Sequence, residues 1–160
     1  MADAKETAVN PLSGKPAPKF KLASSTGDTI DSTKLKGQTF VLFFYPKADT
    51  PGCTIEACAF RDAIASYKKL DVPVFGISPD PVKDVTKFAK KFDLNFPLLA
   101  DEDHAICEAF GVWGEKSMYG KKYFGASRTT FIVGPDGKVA HVFEKVKPDG
   151  HDKEVLAFLK

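Results

Sequence analysis

The sequence predicts an α/β protein in which a central sheet is covered by helices on both faces. Three observations carry this. The runs TFVLFFY (39–45), VPVFGIS (72–78) and RTTFIVG (128–134) are largely apolar, as strands buried on both faces are. Segments with helical periodicity lie between the strands. The 160 residues, 43% hydrophobic and 28% charged, suit one domain large enough to bury most of its apolar surface.

Along the chain, residues 1–12 read as a flexible N-terminal arm and 13–160 as one domain, with Pro16-Ala17-Pro18 closing the loose lead-in. Phe20–Ala23 and Thr29–Ile30 flank a Ser-Thr-Gly-Asp turn and form a short hairpin. After Lys36-Gly37 comes the first buried strand, 39–45. A helix over 53–70 follows, with Phe60, Ala63, Ile64 and Tyr67 on one stripe. The strand at 72–78 leads to a helix over 81–92 that aligns Val82, Val85, Phe88, Ala89 and Phe92. Pro73 and Pro97 read as turns or strand edges. A short helix over 102–110 stops before Gly111. Trp113, Met118, Tyr119 and Phe124 read as core filling, with a pocket wall as the other reading. The strand at 128–134 turns through Gly134-Pro135-Asp136-Gly137 into KVAHVFE (138–144), a hairpin. A last helix covers 151–160. This order fits a thioredoxin-like arrangement and, by order alone, other small α/β folds as well.

Composition excludes several function classes. The formal net charge is +2, and no basic run asks for nucleic acid or an anionic membrane. The N-terminus carries acidic residues and no apolar core of a signal peptide, and no stretch approaches a membrane span. Three cysteines are too few for a disulfide scaffold, so a reducing, cytoplasmic setting is expected. His104, His141 and His151 are scattered without metal-ligand spacing and read as surface or lightly packed residues; no metal or cofactor is expected.

The chemistry gathers in FYPKADTPGCTIEAC (44–58). Cys53 falls where a buried strand gives way to a helix. Thr50 is placed to cap that helix, Pro51 suits its first turn, and Gly52 leaves the backbone room. A helix start supplies free N–H groups and partial positive charge, which suit a thiolate nucleophile. A small buried hydrophobe is the bland alternative, and the position favours the reactive one. Cys58 lies ~140° around the helix and ~7.5 Å along it, so the two Cα atoms stand roughly 8.6 Å apart. Disulfides rarely exceed about 7 Å, so pairing requires the first turns to unwind. Cys58 shares its face with Asp62 and Lys69, a poor place for a packing residue. From the residues alone, reactive pairing and accident both stand for Cys58.

Pro46-Lys47-Ala48-Asp49-Thr50-Pro51-Gly52-Cys53 resembles the P-x-x-x-T-x-x-C signature of the peroxiredoxins, and FYPKADTPGCTIEAC resembles their peroxiredoxin Q, or bacterioferritin comigratory protein, subfamily. The likeness continues through VFGISPDPVKDVTKFAKKF, FPLLAD, AFGVW, MYGKKYFG, SRTTFIVGPDGKV and KVKPDGH, covering nearly the whole chain from about residue 12. It implies a thioredoxin-like fold of the peroxiredoxin type, with a mixed central sheet and an N-terminal hairpin. It further implies Cys53 as the thiol that attacks the peroxide, Thr50 as the hydroxyl that binds it, Pro46 as a shield and Arg128 as the cation beside the thiolate. Gly52 and Cys53 would offer backbone N–H groups. Glu56 fits the subfamily pattern, though a first-turn glutamate also suits the helix dipole. Cys58 matches the resolving cysteine of members that carry it five residues on; Ala89 stands where another subgroup carries it. Cys107 reads as a packing residue.

The function so implied is reduction of hydrogen peroxide and small organic hydroperoxides, through a Cys53 sulfenic acid and a Cys53–Cys58 disulfide restored by thioredoxin or glutaredoxin, in a monomer. Two other classes use similar parts: a dithiol–disulfide oxidoreductase acting on proteins, and a non-catalytic thioredoxin-like binding module. Neither requires Thr50 or Arg128.

Overall fold

A computed structural model describes residues 11–160. Residues 1–10 of the expected arm, and the side chain of Met118, lie outside the described residues. The chain forms β1 (Lys21–Ala23), β2 (Thr29–Asp31), β3 (Phe40–Phe44), α1 (Pro51–Lys69), β4 (Val74–Ser78), α2 (Val82–Lys91), β5 (Leu98–Ala100), α3 (Ala105–Ala109), β6 (Trp113–Met118), β7 (Lys121–Ala126), β8 (Thr129–Val133), β9 (Val139–Phe143) and α4 (His151–Leu159).

The central sheet has the order β5-β4-β3-β8-β9. β3, β4 and β5 are parallel, while β8 runs antiparallel to both β3 and β9. This is the mixed central sheet that the sequence analysis expects. Alternation along β3 splits the core in two. Val41, Phe43 and Tyr45 face a cluster with Cys53, Phe60, Tyr67, Phe88 and Val155, under α1, α2 and α4. Phe40, Leu42 and Phe44 face Phe20, Cys107, Phe110 and Phe131, under the N-terminal hairpin and α3. The second face is thus covered by one short helix and the β1–β2 hairpin.

The described end of the expected arm and the residues after it are tied down. Gly14 N–H donates to Val139 O at 2.8 Å, Ala17 N–H to Gly137 O at 2.9 Å, and Leu12 packs on the second cluster. Pro73 and Pro97 stand immediately before β4 and β5, where their carbonyls accept from Val41 and Gly76. These places cost no ladder donor.

The hairpin of β6 and β7 is absent from the sequence reading. Its two-residue turn, Tyr119-Gly120, has φ of 54° and 78°, the double positive φ that Asn-Gly usually signals and Tyr does not. The expectation of core filling is corrected for Tyr119 and Phe124, while Trp113 packs partly buried against the second cluster. Tyr119 is 96% and Phe124 64% exposed, and Trp113 stacks on His104 with centroids 4.0 Å apart. Only the base of the hairpin, Trp113 and Ala126, reaches the second cluster, and its tip extends beyond that layer.

Candidate active site

Sheet register brings the predicted residues together. Phe44 of β3 pairs with Thr129 of β8, so Arg128, one residue before β8, stands beside the loop that leaves β3 for α1. That loop is held from outside. Ala48 N–H donates to Asp80 Oδ2 at 2.8 Å, and Lys91 Nζ lies 2.9 Å from Asp49 Oδ2. Asp80 is itself buried at the end of β4.

Thr50 is the N-cap residue of α1 but makes no side-chain cap, contrary to expectation. Its hydroxyl donates back to Lys47 O at 2.9 Å, because the left-handed Asp49 (φ 60°) folds the loop so that this carbonyl is in reach. Thr50 Oγ1 therefore keeps its lone pairs to accept a hydrogen bond. Thr54 N–H donates to Thr50 O at 2.8 Å, which leaves the preceding Gly52 and Cys53 N–H groups without acceptors four residues back.

Cys53 is 1% exposed. The Arg128 guanidinium lies by both it and Glu56: Nη1 donates to Glu56 Oε1 at 2.8 Å, and the nearby Cys53 sulfur favours the arginine's charge. Burial works against the arginine's charge, but Cys53 and then Glu56 outweigh it, and its pKa rises. Gly52 makes this approach possible, since a Cβ there would lie 3.0 Å from Arg128 Nη2. Glu56 is fully buried, and burial lifts its carboxyl to about 7 despite the hydrogen bond and charge of Arg128. Its second oxygen, Oε2, has no hydrogen-bond partner. Burial also pushes the Tyr45 phenol up, and the charges of Asp80, Cys53 and Glu56 act in the same direction.

A cleft of about 920 Å³ opens beside this cluster. Pro46, Thr50, Asp80 and Arg128 line it, together with Trp113 and Phe124 of the hairpin. Pro46 is exposed at its rim.

Cys58 is half-buried on α1, and Cys53, Cys58 and Cys107 are all free thiols. The helix is continuous from Pro51 to Lys69, so both cysteines of the pair lie in intact helix. Cys107 is fully buried; burial and the neighbouring Asp101 push its thiol well up. Its N–H donates to Asp101 Oδ2 at 2.7 Å, a packing and capping arrangement. Ala89 is half-buried against the core.

His151 corrects the expectation of surface histidines. It is fully buried, with Nε2 2.7 Å from Thr130 Oγ1 and Nδ1 3.0 Å from Glu154 Oε1. A histidine at the start of a docked helix can bury its ring when both nitrogens find partners. Asp80 and Tyr45 also escaped the sequence reading, whereas the wall made by Trp113 and Phe124 was its second reading for those aromatics. Tyr45 ends an apolar run, and nothing local marks Asp80 as the support of a loop 32 residues away.

The Glu56 carboxyl gives a pH signature. Its folded-state pKa, about 7, lies above the ordinary 4.5. Its contribution to stability is therefore full below 4.5 and lost as pH rises through 7. Glu56→Gln keeps an acceptor for Arg128 and removes this titration. The variant is expected to lose on the order of 1–3 kcal/mol less stability than the parent over that interval. Urea unfolding at the two ends of the window measures it; an unchanged pH slope contradicts the assignment.

Comparison with known proteins agrees with the geometry. Residues 13–142 match the AhpC/TSA family. "Peroxiredoxin Bcp" of Escherichia coli (strain K12) is 49% identical over 153 residues, covering 95% of this chain and 98% of that protein. A structure of Xanthomonas campestris peroxiredoxin Q superposes with a TM-score of 0.83 at 40% identity, covering 88% of this chain and 89% of that one. A structure of X. campestris bacterioferritin comigratory protein, from work on its alkyl peroxide reduction activity and trapped intermediates, gives 0.82 at 39% identity with the same coverage.

Proposed function

We infer how this chain, which belongs to the AhpC/TSA family and is a peroxiredoxin of the Bcp type, carries out its thiol peroxidase activity: Cys53 is the attacking thiol and Cys58 the resolving one. The observation that carries the reading is the single Arg128 guanidinium shared between Cys53 and Glu56 at a helix start. The substrates are hydrogen peroxide and small organic hydroperoxides, the latter in keeping with the alkyl peroxide activity named for the X. campestris relative.

Thr50 Oγ1, its own proton committed to Lys47 O, accepts the O–H of the bound peroxide. Arg128 and the N–H groups of Gly52 and Cys53 donate to its oxygens. Pro46 and the hairpin aromatics limit water at the cleft. The Cys53 thiolate attacks the terminal oxygen; a new S–O bond forms as the O–O bond breaks, and the departing hydroxide or alkoxide takes up a proton. Sulfur is oxidised to the sulfenic acid, and the peroxide is reduced to water or alcohol.

Cys58 then attacks the sulfenic sulfur and water leaves, giving the disulfide once α1 has unwound over Pro51–Cys58. An external dithiol of thioredoxin or glutaredoxin type takes the disulfide back to two thiols by exchange, becoming oxidised itself. We place this cycle in a cytoplasmic monomer. Among the described residues no helix is long and apolar enough to cross a membrane.

The number of free thiols tests the cycle. The reduced chain carries three. One equivalent of hydrogen peroxide is expected to leave one, Cys107, reactive to a thiol reagent under denaturing conditions. Two remaining thiols contradict the intramolecular disulfide, and three contradict the role of Cys53.

A further inference from the structure

The segment between β9 and α4 passes over the start of α1. Val146 N–H donates to Arg128 O at 3.1 Å. Pro148 lies against the first turn of α1, where a Cβ on Gly52 would meet its Cγ at 3.5 Å. The segment turns at Gly150 (φ 80°) and is pinned at its far end by His151. That ring is fully buried, edge-on to Phe60 of α1 at 5.9 Å and to Phe143 of β9 at 5.2 Å. Glu154 only accepts, so Nδ1 carries the proton and Nε2 accepts from the Thr130 hydroxyl. Beside it, Tyr67 Oη donates to Asp152 O at 2.8 Å. No step of the peroxide chemistry uses His151.

We propose that His151 is a positioning residue that straps residues 145–150 over the helical turn of Cys53, and so sets how oxidised Cys53 divides between disulfide and sulfinic acid. The inference rests on the assignment of Cys53 and Cys58 given above. The disulfide needs the first turns of α1 to unwind, and Gly52, next to Cys53, lies under Pro148. The strap must yield each time the helix opens. While it holds, the sulfenic acid stays beside Arg128, where a second peroxide can reach it. That peroxide transfers one oxygen to the sulfur and leaves as water, so the sulfur is oxidised to sulfinic acid. Opening instead lets Cys58 displace water from the same sulfur. Tightness of the strap therefore favours overoxidation, and looseness favours the disulfide.

Three substitutions probe the strap. His151→Gln is the direct one. Thr130→Val removes the Nε2 partner while keeping the side chain's shape, and Pro148→Ala removes the ring that faces Gly52 without touching the histidine; these two keep the test open if the first variant does not fold. Each full-length protein is treated with excess hydrogen peroxide, alkylated and digested, and the sulfinic-to-disulfide ratio is read by mass spectrometry. The ratio is expected to fall about threefold or more, the rate effect of weakening one hydrogen bond or contact. A lower melting temperature with an unchanged or raised ratio in folded variants overturns the strap and leaves His151 a packing residue. If the unsubstituted protein forms neither product at Cys53, the assignment of the cysteines fails, and the inference with it.

Discussion

Cys53→Ser is expected to lose peroxide turnover, by at least about a thousandfold, because a serine hydroxyl at this pH supplies almost none of its anion and no sulfur to oxidise. The substitution removes one polarisable atom from a site that is otherwise preformed. Arg128 and Glu56 remain paired at 2.8 Å, and the loop stays tied to Asp80. Binding groups alone then face the peroxide without a nucleophile. Cys58→Ser separates the two roles. It leaves the buried cluster intact, since Cys58 is only half-buried and lies ~140° around α1 from Cys53. Such a variant is expected to consume its first equivalent of peroxide at the parent rate and then stop at the sulfenic or sulfinic acid. Rapid-mixing measurements of peroxide loss distinguish the two. Full turnover in Cys53→Ser contradicts the assignment, as does a slowed first step in Cys58→Ser.

Arg128→Ala is expected to slow the first step at least tenfold, about 1.4 kcal/mol of transition-state stabilisation. The charge it removes serves two partners. Cys53 loses the donor and positive charge that would meet the peroxide beside it, and the buried Glu56 loses the hydrogen-bond partner it has among the described residues, Oε2 having none there. Relieved of the guanidinium, the Glu56 carboxyl rises further above its ordinary value, since burial is then unopposed. Arg128→Lys keeps a charge but not the planar fork that can meet thiolate and carboxylate together. Its rate is expected between those of the parent and the alanine variant. Single-turnover kinetics with limiting peroxide read this step apart from resolution by Cys58. Unchanged rate constants in Arg128→Ala remove the residue from the mechanism.

Much of this architecture was legible in the sequence because its signals are local. Three doubly buried strands read directly from their apolar runs, and α1 and α2 from stripes containing Phe60, Tyr67, Val85 and Phe88. The helix start at Thr50-Pro51-Gly52 drew attention to Cys53 for a physical reason. Arg128 was different: a lone arginine before a strand reads as a surface residue, and only the family resemblance singled it out. Its place beside Cys53 follows from the β3–β8 register, a long-range property.

What stayed hidden shares that character. Thr50 caps nothing, because the loop geometry imposed by Asp49 offers it Lys47 O instead. The strand Leu98–Ala100 is three residues long and carries no period to detect. The turn Tyr119-Gly120 takes a conformation its tyrosine does not advertise. His151 gains both its burial and its partners from elements that meet only in the folded chain.

The pairing of Cys53 with Cys58 is what the family resemblance implies, it requires a helix that is intact in the reduced protein to open, and it can be weighed directly. Trypsin cuts after Lys47 and Arg61, which places both cysteines in one peptide, ADTPGCTIEACAFR, and Cys107 in another. The reduced protein is given one equivalent of hydrogen peroxide, its remaining thiols are alkylated, and that peptide is weighed. A mass two hydrogens lighter and without alkylation is the expected result, and it means that a helix intact in the reduced protein opens in every cycle. A peptide alkylated at both cysteines contradicts it.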